Sequence, residues 1–85
     1  MTRDEGIEKM RAFARQQPLP RLAASLVLLE AKPALDDAER LTRAVIMDTI
    51  CETSPEADAA FDAWAESNDC SPATAVEVIL AAIPA

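Results

Sequence analysis

The sequence predicts an all-α fold: a compact bundle of about five short helices in a single domain, residues 1–85. The chain holds 18 alanines, and alanine has the highest intrinsic helix propensity. Apolar residues recur at helical spacing, and no long run alternates apolar and polar residues as a strand does. Six prolines divide the chain into segments of helical length. Since 85 residues can bury only one core, these segments are expected to pack together.

The first two predicted helices differ in kind. The first runs from about Asp4 to Gln16, with Thr2 or Asp4 as its cap. Its apolar residues share one face: Ile7, Met10, Phe13 and Ala14. The second runs from about Pro20 to Lys32, and only Arg21, Ser25 and Glu30 interrupt its apolar surface. A helix that is apolar nearly all round is expected to be buried nearly all round.

The third predicted helix begins with a strong start signal and ends near Glu52. Asp36 is followed three residues later by Glu39, the spacing of a capping box. Beyond Arg43 this helix is apolar on two sides, and Asp48 falls in the middle of one of them. A carboxylate there must be paired, hydrogen-bonded or at an edge, and Arg11 or Arg21 is the expected partner.

Two Ser-Pro pairs begin the fourth and fifth predicted helices. In each pair serine is placed to cap the helix and proline to occupy its first turn. The fourth helix then spans about Pro55 to Ser67, and the fifth about Pro72 to Ala82. Short connections favour antiparallel neighbours, with the second and third helices at the centre of the bundle.

Charge is distributed unevenly along the chain, whose net charge is −7. All eight basic residues lie at or before Arg43, whereas residues 44–85 hold eight acids and no base. Four acids follow one another on the fourth helix at steps of four, four and three: Asp58, Asp62, Glu66 and Asp69. This row is either a solvated face or a binding surface for a basic protein partner.

The residue inventory argues against an enzyme. The chain has no histidine and one glycine, so it lacks an imidazole for acid–base catalysis and a glycine-rich loop for phosphate. Cys51 and Cys70 are not at a metal-ligand spacing, and whether they pair stays open. We therefore expect no catalytic residues, no cofactor and no metal.

Hydropathy predicts a soluble, cytoplasmic protein without a membrane partner. The charged first residues lead into no apolar run of the kind that a signal peptide requires. The longest uncharged stretch of the central helices, Leu22 to Leu29, is far shorter than the roughly 20 residues of a membrane span.

These observations predict a small acidic, non-enzymatic protein–protein interaction module, regulatory or adaptor-like, that acts as a homodimer. Apolar excess on the second and third helices places the expected dimer interface at four residues: Leu28, Ile46, Met47 and Ile50. One alternative is a small DNA-binding regulator that uses the basic segment from Arg3 to Arg21. The net negative charge opposes nucleic-acid binding. Another alternative is an antitoxin-like or nucleic-acid-mimicking inhibitor whose acids imitate phosphates.

Overall fold

The computed structural model describes residues 2–68 and 71–83, and within them it has five helices and no strand. The helices are α1 (Arg3–Arg15), α2 (Leu19–Glu30), α3 (Asp37–Thr53), α4 (Pro55–Glu66) and α5 (Pro72–Ala82). The predicted all-α fold is confirmed, and each predicted boundary lies within two residues of the observed one.

Side-chain caps explain where most of the helices begin. Thr2, Ser54 and Ser71 each accept a hydrogen bond from the backbone N–H three residues further on. Asp36 forms the predicted capping box, because it accepts from the Glu39 N–H while the Glu39 carboxylate accepts from the Asp36 N–H. In contrast, α2 follows Pro18 and has no side-chain cap. Proline in its first turn supplies the starting backbone geometry instead.

Helix α3 is the centre of the bundle. It contacts each of the other four helices, and α4 and α5 also pack closely on each other. Most of the buried apolar residues form one cluster drawn from all five helices: Ala14, Leu22, Leu26, Val45, Ile46, Ile50, Ala57, Val76 and Ile79. Ile50 is 0% exposed and lies on the central helix. The prediction that the second and third helices form the centre is therefore right for α3, whereas α2 packs mainly on α3 and α5.

Helix α2 is not buried all round, which corrects the expectation from its composition. Leu22 and Leu26 face the core, whereas Val27 is 53% exposed and Leu28 is 71% exposed. The reason is the number of neighbours: α2 packs against α3 and α5, and these contacts cover only one side of it. An 85-residue chain has too few helices to enclose a second apolar helix completely.

Ion pairs tie the first half of the chain to α3. Arg11 Nη2 lies 3.3 Å from Asp48 Oδ2, and the Arg15 guanidinium contacts both carboxylate oxygens of Glu52 at 3.1 and 3.2 Å. Asp48 is thus paired with one of the two arginines expected, at a partly exposed edge of α3. Since the residue numbers of both pairs increase together, α1 and α3 run in the same direction.

Candidate functional site

An apolar groove lies between α1 and α2, with α3 as its floor. Its volume is about 520 Å³. The apolar residues that define it come from the three helices: Met10, Phe13, Ala14, Leu22, Leu28, Leu29, Val45 and Ile46. Phe13 on α1 is 66% exposed, and Leu28 on α2 is still more exposed. Large apolar side chains on both walls of one depression mark a binding surface more often than scattered exposed ones do.

The charged residues that line the apolar groove are both basic. Arg21 and Gln17 both line the groove, and Arg21 Nη1 donates a hydrogen bond to the Gln17 side-chain oxygen at 3.3 Å. Lys32 lies at the other end and pairs with Glu39, and this contact holds the pKa of the Glu39 carboxyl below its ordinary value. Within residues 2–68 and 71–83, Arg21 has no carboxylate partner. The rim of the groove is therefore weakly basic in a strongly acidic chain.

A second depression, the acidic groove, lies between α3 and α4. Its volume is about 740 Å³. Carboxylates line both sides: Asp48 and Glu52 on α3, and Asp58 and Asp62 on α4. The apolar lining residues are Ala44, Met47, Cys51 and Phe61, and two arginines, Arg11 and Arg43, complete the lining. The Phe61 ring is held in place by the Trp64 ring, 5.5 Å away between centroids.

The structure divides the predicted acidic row. Asp58 and Asp62 are exposed and line the acidic groove, whereas Glu66 is exposed but lies outside it. Asp69 lies outside the described residues. In the part of the chain that the structure describes, Asp58, Asp62 and Glu66 form no ion pair. The basic first half instead meets the acids of α3, since Arg15 holds the pKa of the Glu52 carboxyl below its ordinary value through their hydrogen bonds.

The four residues predicted for a dimer interface do not share one surface. Leu28 and Ile46 line the apolar groove, Met47 lines the acidic groove, and Ile50 lies inside the core. Ile46 and Ile50 are both buried within one chain, so neither offers appreciable surface to a second copy. The predicted interface is wrong at Ile46 and Ile50 because the helices around α3 cover these two side chains.

The sequence places Phe13 on the apolar face of the first helix, whereas in the structure its side chain is largely exposed. The sequence position of Phe13 could have indicated this exposure, because Phe13 lies about 100° around the helix from Ala14, at the edge of the apolar stripe. Of the α1 residues, only Ala14 is classed as buried, with 6% of its surface exposed. A stripe that is wider than the contact with one neighbouring helix leaves its edge residue uncovered.

The Cys51 thiol reports the environment of the acidic groove. Burial raises its pKa, and the negative charges of Asp58, Asp48 and Asp62 raise it further. At a pH near the ordinary thiol pKa, we expect iodoacetamide to alkylate Cys51 more slowly in the folded protein than in urea, because less thiolate is present. Alkylation of a Cys70→Ser chain, followed by mass spectrometry, measures this rate.

Asp58→Asn in the same Cys70→Ser chain should accelerate alkylation of Cys51, because one of the charges that disfavour the thiolate is removed. Asp37→Asn is the matched control, since Asp37 is fully exposed at the start of α3 and does not line the groove. Equal rates for the two variants would contradict the placement of Asp58 beside the thiol.

Neither a metal-binding cluster nor a membrane-spanning helix occurs among the described residues. Across 2–68 and 71–83, no group of three or more His, Cys, Asp or Glu side chains is placed to hold a metal ion. Over those same ranges, every helix is too short or too polar to cross a bilayer. No protein-family model matches the chain, and comparison with curated proteins and with solved structures finds no significant relative.

Proposed function

We propose that this protein is a small, non-enzymatic protein–protein interaction module that acts as a homodimer through its apolar groove. The observation that supports this proposal is the exposure of Phe13 and Leu28 on facing walls of one groove. A two-fold axis would place the same surface on both copies, so the apolar residues of each wall enter the groove of the other. The role attached to such a module is regulatory or adaptor-like.

The expected stability of the dimer follows from the free energy of burying its apolar side chains and the free-energy cost of association. Burying a Phe or Leu side chain contributes roughly 1.5–3 kcal/mol, and two copies bring four such side chains together. Association costs about 4–15 kcal/mol in lost freedom of motion. Only at the favourable end of both ranges does the net free energy reach about −8 kcal/mol, which corresponds to a micromolar dissociation constant, so we expect a weak dimer that dissociates on dilution.

The ion pairs favour this proposal over the DNA-binding alternative. Two of the arginines in the Arg3–Arg21 segment, Arg11 and Arg15, already contact carboxylates of α3. Their charge is therefore largely neutralised within the chain, and phosphate contacts would have to displace these pairs.

Light scattering on the intact chain tests the dimer, with Leu28→Glu as the informative variant. This substitution places a charge at the wall of the groove, and because Leu28 is exposed, the monomer should keep its fold. We expect the native mass to fall from two chains to one at micromolar concentration, with an unchanged helical circular dichroism spectrum.

Val27→Glu is the matched control, because Val27 is an exposed aliphatic residue of the same helix that does not line the apolar groove. It should leave the mass at two chains. A wild-type chain that remains monomeric at high micromolar concentration would refute the dimer. Equal dissociation by both variants would move the interface away from the groove.

A further inference from the structure

The acidic groove combines an apolar floor with carboxylates on both walls. Met47 and Cys51 of α3 and Phe61 of α4 form the floor, and all three are only partly buried within the chain. Met47 is suited to a contact surface, because an unbranched, polarisable side chain adapts to the shape of what packs on it. The floor is thus an apolar strip that the chain covers only in part.

The two walls carry carboxylates at helical spacing. Asp58 and Asp62 are four residues apart on α4, and Asp48 and Glu52 are four residues apart on α3. Residues at this spacing lie on one side of a helix, so each wall presents its pair toward the groove. The apolar floor therefore lies between two short rows of negative charge.

The two rows differ in how far the chain neutralises them. Asp48 and Glu52 share the charges of Arg11 and Arg15, whereas Asp58 and Asp62 have no cation partner within residues 2–68 and 71–83. Arg43 also lines the groove, but its Nε contacts Glu30 at 2.5 Å. The α4 wall thus keeps two uncompensated charges, which repel each other at four-residue spacing.

We infer that the acidic groove binds a basic amphipathic helix of a partner protein, with apolar residues on the floor and Lys or Arg side chains beside the α4 wall. A helix laid in a groove presents an apolar stripe at steps of three and four, with charges on its flanks. This pattern is complementary to the floor and to the spacing of Asp58 and Asp62. The inference concerns a different surface from the proposed dimer interface and does not depend on it.

A synthetic helix of leucine and lysine tests this inference directly. The probe is a fluorescein-labelled peptide of about 14 residues, near the shortest length at which an isolated helix forms in water. Fluorescence anisotropy gives its affinity for the intact protein at low and physiological salt. We expect saturable binding that Asp58→Lys with Asp62→Lys weakens about tenfold, because two attractive contacts become repulsive.

Two further variants make the outcome specific. Glu66→Lys with Glu77→Lys changes the net charge by the same amount at exposed positions outside the groove, and it should alter the affinity little. Asp58→Asn with Asp62→Asn removes the charges without adding lysine to the first turn of α4, so it serves if the double lysine variant misfolds. It should weaken binding by a smaller factor.

The site of binding is read from the Cys51 thiol in a Cys70→Ser chain. A helix on the floor should slow alkylation of Cys51 in proportion to peptide occupancy. Unchanged alkylation at saturation, or equal weakening by the groove and control variants, would overturn the inference and leave only long-range charge attraction. Absence of peptide binding at high micromolar concentration would also overturn the inference. This holds even if the chain is then found to associate with itself in a salt-sensitive way.

Discussion

Ile50→Ala is expected to lower the free energy of unfolding by about 2–5 kcal/mol, the range for truncating a large buried aliphatic side chain. Ile50 is completely buried on α3, the helix that all the others contact, so the cavity left behind has walls that cannot easily collapse. A small domain has about 5–15 kcal/mol of stability in total. The variant should therefore unfold at a much lower urea concentration, measured by circular dichroism.

Val27→Ala is the control for this experiment. It also removes aliphatic carbons, but from an exposed position on α2, and surface changes of this kind stay within about 0.5 kcal/mol. A cost for Ile50→Ala similar to that for Val27→Ala would show that α3 is not the centre of a packed core.

Ser54→Ala is expected to cost about 1–2 kcal/mol, near the upper end for loss of a helix cap. Ser54 is 2% exposed, and its hydroxyl accepts the Ala57 N–H at 3.2 Å and donates to Glu56. Without the hydroxyl, the buried Ala57 N–H loses its partner and water cannot easily replace it. Urea denaturation measures the loss, and the midpoint should fall without a change in helix content at low urea.

Thr2→Ala makes the matched comparison, because Thr2 caps α1 by the same kind of bond at an exposed position. Water can satisfy the Glu5 N–H there, so the cost should be clearly smaller than that of Ser54→Ala. Equal costs would mean that burial of the α3–α4 junction contributes nothing to the value of its cap.

Local sequence signals were sufficient to predict the helices of this protein. The Asp36–Glu39 capping box and the Ser-Pro starts at Ser54 and Ser71 depend on residues three positions apart. Such bonds form within one turn and need no tertiary contact. For that reason the predicted helix starts agree closely with the structure, and α2, which lacks a side-chain cap, begins at Leu19 rather than Pro20.

The packing of the helix faces could not be predicted in the same way. Ile50 and Leu28 both lie on apolar faces, yet one is fully buried and the other largely exposed. Helical periodicity says which residues share a face, but the position of neighbouring helices decides which face is covered. The sequence thus predicted Asp58 and Asp62 as exposed acids, but not that Met47, Cys51 and Phe61 would form an apolar floor beside them.

The two paired arginines of α1 affect the alignment of α1 along α3 more than they affect the stability of the bundle. Arg11 and Arg15 are four residues apart, as are their partners Asp48 and Glu52. Sliding α1 along α3 by one turn, about 5.4 Å, would preserve one contact and leave one arginine and one carboxylate single. Exposed ion pairs contribute little free energy, and Ala14, the buried residue of α1, is small enough to tolerate such a slide. The doubled spacing therefore adds a preference of up to about 1 kcal/mol for one longitudinal position of α1, and with it for one separation between Phe13 and Leu28 across the apolar groove.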